Sequence, residues 1–190
     1  MLIISQNATN YNLNYPSDTV LRLNLAWCNS LDEIEIILKK HHENRIFLDL
    51  PIGRIKPPDN KYTLSEIIPI LKFNKNIHYL AISNIEDEND LDEFLKSIPN
   101  HVTIIPKIES PKGVKNIEKI TKKLNYEMKY VMLDHDDLFS AIKKNNESPS
   151  SFQKYIKELV DFCKNNNIGL LRTVGVVFSD DEERDTQYMK

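Results

Sequence analysis

In the stretch "HVTIIPKIESPKGVKN", Lys107 and Glu109 lie two residues apart where an apolar run ends and a glycine-bearing turn follows. Residues two apart in an extended chain point to the same side, so an ammonium and a carboxylate share one face at a strand mouth. Asp137 closes a second apolar run, "YVMLDHDDL". If neighbouring strands bring the three together, two carboxylates can hold Mg²⁺ or Mn²⁺ while water or substrate fills the remaining positions. An ammonium beside them can neutralise a phosphate or an enolate oxygen, and when desolvated it can exchange a proton with carbon. This suits chemistry on pyruvate-like compounds, where charge builds on an enolate oxygen next to a carboxylate. The plainer reading of the same spacing is an ordinary strand-end ion pair, which stabilises little.

The elements that must position these groups alternate along the chain. Apolar runs rich in β-branched residues recur at Leu2–Ser5, Thr19–Leu25, Arg45–Leu50, His78–Ser83, Val102–Ile108, Tyr130–Leu133 and Ile168–Val177. Most are nearly continuous in apolar character, as in strands covered on both faces. Between them run helical stripes: Leu31, Ile34, Ile37 and Leu38; Leu91, Phe94, Leu95 and Ile98; Val114, Ile117, Ile120 and Leu124; and Phe152 through Cys163. Each is expected to be a core-packing face. Ser30 and the Ser148-Pro149-Ser150 run are expected to cap helices. The alternation predicts an α/β fold with a parallel sheet, either a TIM-type (β/α) barrel or an open doubly wound sheet. With four glycines and no GxGxxG, a dinucleotide site is not expected.

In a barrel the chemistry sits at the C-terminal strand ends. Those ends carry Arg22 and Asn24, Asp49, Ser83 and Asn84, Lys107 and Glu109, Asp134 to Asp137, and Arg172 and Thr173. Polar residues would emerge there in any α/β protein, so position alone does not assign roles.

Six collinear segments resemble pyruvate kinase. "TIIPKIESPKGVKNIEKI" resembles that family's "KIEN-x-EGV-x-N", between "YLAISN" for its "AxSF" strand and "YVMLDHDDL" for its "MVARGDLG" strand. Upstream, "LRLNLAWCNS" resembles "RxNxSHG" and "FLDLPIGRIK" resembles "LDxxGPxIR"; downstream, "LLRTVG" resembles the "xATQM" strand. The resemblance implies a pyruvate-kinase-like barrel, incomplete at about seven parallel strands. It implies Lys107 as the lysine that stabilises the transferred phosphoryl group and the enolate. Glu109 and Asp137 become the divalent-metal ligands, with Mg²⁺ or Mn²⁺ as cofactor. Arg22 takes the place of the phosphate-binding arginine, and Asn24 and Asp49 those of ligands for a K⁺ ion at a degraded site. Thr173 stands for the threonine that binds substrate and helps protonate the enolate.

Departures from the pattern are as informative. Ala26 and Trp27 stand where the family has the serine ligand and its histidine. The glycine whose backbone approaches the substrate carboxylate is Asp136 here, an added negative charge beside an anion site. The next helix is expected to begin near Leu64, which would leave no room for the family's cap domain, and the expectation is a barrel without the family's regulatory domain. The expectation is an Mg-dependent transferase (kinase) or lyase acting on phosphoenolpyruvate, pyruvate or a related 2-oxo acid, without full pyruvate kinase activity. The alternatives are a catalytically degenerate barrel serving as a binding or regulatory protein, and a subunit completed by another chain.

A net charge of -3 gives no basic excess for nucleic acid or an anionic membrane. No apolar run approaches the roughly 20 residues of a membrane span, and the N-terminus lacks signal-peptide character. Cys28 and Cys163 lie far apart without metal spacing and are expected to be reduced thiols, so the expected location is cytoplasmic. Residues 1–177 are expected to form a single barrel domain, and 178–190 an acidic tail. The long apolar run "IGLLRTVGVVF" without proline predicts an edge that needs cover, hence a homodimer.

Overall fold

Each central strand carries apolar side chains toward both faces, and this builds two hydrophobic layers. The computed structural model describes residues 2–4, 11–54 and 58–172. Seven strands run in one sheet in sequence order: β1 (Leu2–Ile4), β2 (Thr19–Asn24), β3 (Arg45–Leu50), β4 (Ile77–Ile82), β5 (Thr103–Ile108), β6 (Tyr130–Leu133) and β7 (Gly169–Arg172). Every pairing is parallel. The expected strands are therefore present, trimmed or shifted by a residue at several ends; beyond Arg172 the seventh lies outside the described residues.

Helices α1 (Leu31–Lys40), α2 (Leu64–Phe73), α3 (Asp92–Ser97), α4 (Pro111–Lys115), α5 (Ile117–Lys123), α6 (His135–Lys144) and α7 (Ser151–Asn165) lie between the strands. They cover the outer layer, where Leu21, Leu23, Leu48, Leu80, Ile104 and Leu133 pack with Ile34, Leu71, Ile120 and Leu159. At roughly 1.5–3 kcal/mol for each fully buried aliphatic side chain, this layer is the main source of stability. Val20, Phe47, Ala81, Ile105 and Met132 make a second, smaller cluster on the opposite face, with Tyr79, Tyr130 and Leu171 against it.

That second cluster joins strands from β2 to β7 and reflects curvature. Adjacent strands lie about 4.8 Å apart, so β2 and β5 in a flat sheet would be separated by about 14 Å. Yet Arg22 of β2 and Lys107 of β5 both reach one carboxylate on β3. The sheet is curled into an open partial barrel with the small cluster on its concave side. Among the described residues β7 pairs with β6 alone and β1 with β2 alone, so the ladder does not close.

Local signals hold in part. Ser30 caps α1, its side chain accepting from Glu33 N. Thr63 opens α2 with a capping box to Glu66. Ser150 does not act as a cap: it already has helical dihedrals, and Ser148 Oγ accepts its N–H instead. The stripe from Val114 to Leu124 is two helices rather than one, broken at Asn116, whose amide donates to Glu86 O at 2.8 Å. The expected turn at Gly113 is the helix α4, capped by Ser110. A Cβ at Gly113 would lie 2.8 Å from Ile85 O, so glycine there lets α4 approach the β4 loop closely.

Candidate active site

The concave face turns from apolar to charged toward the C-terminal ends of the strands. Asp49 follows Phe47 on β3, Ser83 follows Ala81 just past β4, and Lys107 follows Ile105 on β5, each two residues beyond a member of the inner cluster, with Glu109 a further two residues on, just past β5. Asp49 is wholly buried, and Lys107 and Glu109 are only 4 % and 5 % exposed. Charges this deep persist only when paired.

Asp49 supplies the central pairing. Its Oδ2 accepts from Arg22 Nε at 3.1 Å and from Arg22 Nη2, while Oδ1 lies 3.5 Å from Lys107 Nζ. Lys107 Nζ donates to Ser83 Oγ at 3.0 Å and sits 2.9 Å from Glu109 Oε1. Burial pushes the Asp49 carboxyl up, but Lys107 and Arg22 outweigh it and hold Asp49 below the usual carboxylate range. Burial works against the Lys107 ammonium, and Asp49 and Glu109 more than compensate, so its pKa is raised and it stays protonated. Glu109 moves the other way: burial raises its pKa, and Lys107 and the Asn84 N–H offset this only in part.

Asn84 fixes Glu109 from the loop after β4. At φ 59° it occupies the left-handed region, which asparagine tolerates better than most residues. This aims its N–H at Glu109 Oε2, 2.7 Å away, while its side-chain amide donates to Ile52 O at 2.6 Å. Gly53 (φ 71°) makes room for that strut, since a Cβ there would lie 3.2 Å from Asn84 Nδ2. Loops after β3, β4 and β5 are thereby tied together.

The third side of the site comes from a helix cap. Asp134 directly follows β6 and caps α6, its Oδ1 accepting from Asp137 N at 3.3 Å. A cap residue and the third residue of its helix are neighbours by construction. Glu109, Asp134 and Asp137 consequently offer carboxylate oxygens that all lie within 4.8 Å of one another. Glu109 Oε1 is buried without an aligned hydrogen-bond donor among the described residues. An all-oxygen anionic set of this kind fits a hard divalent cation. A cleft of about 400 Å³ opens beside Glu109 and Asp137, lined also by Ser83, Asn84 and Arg54.

Lys107, Glu109 and Asp137, expected from the sequence, are thus brought together. Arg22 is buried against Asp49, and Asn24 uses its Oδ1 to accept from Ala26 N at 3.0 Å. Asp136 is exposed and does not line the cleft. Thr173 lies outside the described residues. Sequence reasoning saw Asp134, Ser83 and Asn84 as strand-end positions without roles. The D-x-x-D spacing across a helix start was the available signal for Asp134.

The fold is similar to that of RipC from Yersinia pestis, seen in its crystal structure, with 17% sequence identity, a TM-score of 0.60, and 89% of this chain and 79% of that chain covered. At that identity the likeness concerns the fold alone. No protein-family model matches the chain, and no curated protein matches its sequence.

Proposed function

We propose that this chain is a divalent-metal-dependent enzyme of the pyruvate-kinase-like and citrate-lyase-β-like barrel type, acting on a small 2-oxo acid through its enolate. The observation that carries the reading is the convergence of Glu109, Asp134 and Asp137 beside the buried Lys107 ammonium. The three carboxylates would hold Mg²⁺ or Mn²⁺, which when bound supplies Lewis-acid polarisation of the substrate carbonyl. Lys107, kept cationic by Asp49 and Glu109, serves to balance negative charge on the enolate oxygen rather than to accept a proton. Ser83 and Asp49 orient its head group from two sides.

Carbon–carbon cleavage or enolate protonation suits this site better than phosphoryl transfer. Arg22 is engaged with Asp49 and is only 7 % exposed, so its role in this reading is to hold Asp49 and, through it, Lys107. Asp49 takes its counter-charge from Arg22 and Lys107, and the reading includes no K⁺. The same engagement of Arg22, with Ala26 and Trp27 in the resembling motif, favours a second reading as a binding protein without turnover.

Calorimetric titration with Mn²⁺, followed by oxalate as an enolate mimic, tests the site. The expected result is Mn²⁺ uptake that Asp137→Asn abolishes, and oxalate binding only after Mn²⁺. Failure to bind Mn²⁺ at millimolar concentration would remove the reading. Exchange of pyruvate methyl protons in D₂O, followed by NMR, then separates the two readings. Turnover that falls about 10²–10³-fold in Lys107→Met supports the enzyme; binding without exchange supports the second reading.

A further inference from the structure

Helices α1 and α2 both return against parallel strands and so run in the same direction, and a groove of about 500 Å³ lies between them. Asp32, Glu35, Ile36 and Lys39 form its α1 wall, with Pro69 and Ile70 of α2 opposite. The four α1 positions fall at i, i+3, i+4 and i+7, one face of a helix. Ile36 is 66 % exposed there, and Phe73, four residues beyond Pro69 at the end of α2, is 83 % exposed. Single exposed hydrophobics are ordinary; two on neighbouring helices flanking one groove mark a surface that binds something. None of these residues belongs to the acidic site.

The charges on this face say what fits it. Asp32 and Glu35 occupy its N-terminal half and Lys39 its C-terminal half, with Ile36 between. Asp32 and Lys39 stand about 10.5 Å apart along the axis at 1.5 Å per residue. Neither side chain makes an ion pair among the described residues, whereas the adjacent Lys40 donates to Asn12 O. A second α1 laid alongside in the same direction would set acid against acid and lysine against lysine. Laid antiparallel, it sets Asp32 against the second copy's Lys39 at both ends at once, with Glu35 within one turn of the same lysine. A two-fold axis generates this antiparallel arrangement, and here it would pass beside Ile36.

We propose that the α1–α2 face is a two-fold interface with a second copy of this chain. Ile36 of each copy seats in the groove of the other, and Asp32–Lys39 pairs between copies close the two ends. The apolar centre supplies the attraction, and the polarised charges fix the antiparallel direction. This surface is separate from the β7 edge and does not depend on the proposed chemistry of the acidic site.

Sedimentation equilibrium on the full chain gives the dissociation constant between copies, and far-UV circular dichroism checks that each variant is folded. The parent mass alone does not tell this face from the β7 edge, so the variants decide. Asp32→Lys alone and Lys39→Asp alone each set like charges opposite one another at both ends, and each should weaken association about tenfold or more. Asp32→Lys combined with Lys39→Asp restores opposite signs across the axis and should return the constant to near the parent value. Effects confined to each helix end would instead add in the double variant. Ile36→Asp, which buries a charge at the centre, should abolish association through this face. A parent that is monomeric at the highest soluble concentration would overturn the proposal. So would association that none of these substitutions weakens, which would place the contact elsewhere, as at the β7 edge. Weakening by both single substitutions without recovery in the double would overturn the antiparallel pairing.

Discussion

Glu109→Gln should cost the metal-free protein almost nothing and yet remove its response to metal. Oxygens of Asp134 and Asp137 lie within 4.8 Å of a Glu109 oxygen. At an effective dielectric near 20, each neighbour at that distance repels a Glu109 charge by about 3.5 kcal/mol, or about 7 kcal/mol for the pair. Water on the half-exposed Asp134 and Asp137 screens this toward a lower value. Lys107 Nζ, at 2.9 Å from Glu109 Oε1, returns about 5.7 kcal/mol on the same scale. The two nearly cancel, and burial then tips the balance toward the neutral acid, in agreement with its raised pKa. A glutamine keeps an acceptor for Asn84 N and removes the contested charge. The expected change in metal-free stability, from urea unfolding at pH 7, is below about 1 kcal/mol, well short of the 3–5 kcal/mol typical of a broken buried ion pair. Mn²⁺ at one hundred times its dissociation constant should stabilise the parent by about 2.7 kcal/mol. If the lost ligand weakens binding by about a hundredfold, the variant gains only about 0.4 kcal/mol at the same concentration. A loss of 3 kcal/mol or more without metal, with the Mn²⁺ gain intact, would refute the reasoning: Glu109 would then be a structural partner of Lys107.

Asp49→Asn should behave oppositely, costing about 3–5 kcal/mol at neutral pH because Arg22 and Lys107 are left as buried cations with a weakened partner. The sign of its pH dependence follows from the lowered pKa. The Asp49 contribution is complete above its unfolded value near 3.9 and is lost as pH falls through the lower folded value, so the parent's advantage over Asp49→Asn should vanish in acid unfolding curves. An advantage that is unchanged at pH 2 would contradict this. Asn84→Ala should weaken Mn²⁺ binding roughly tenfold, by strain at positive φ and loss of the tie to Ile52, and Asn84→Gly should recover part of it. Equal loss in both variants would place the effect in the side chain alone. Light scattering is expected to give a mass near twice 22.2 kDa, since β7 pairs only with β6 among the described residues; a monomer mass would require another cover for that edge.

What the sequence determined by itself was local and periodic. Continuous β-branched runs marked strands that are apolar on both faces, and the two-residue step from Ile105 to Lys107 to Glu109 placed those side chains on one side. Helical stripes such as Phe152, Tyr155, Ile156 and Leu159 pointed to buried faces, and these residues are buried. The cap at Ser30 needed only neighbouring residues and was legible; the cap at Asp134, which sets it against Asp137, is just as local but went unread. What only the tertiary structure decided was the partner of each charge. Arg22 and Asp49 are 27 residues apart, and Lys107 and Asp49 come from strands separated by β4. Whether such groups meet depends on strand order and on how strongly the sheet curls, neither of which is written in any local pattern. Asp49 was expected as a cation ligand and instead lies between two cationic side chains. Asn84 appeared only as a polar residue at a strand end; its left-handed backbone and its hold on Glu109 arise because two loops must converge there. A buried charge takes its meaning from what neutralises it, and that is settled by packing across the sheet.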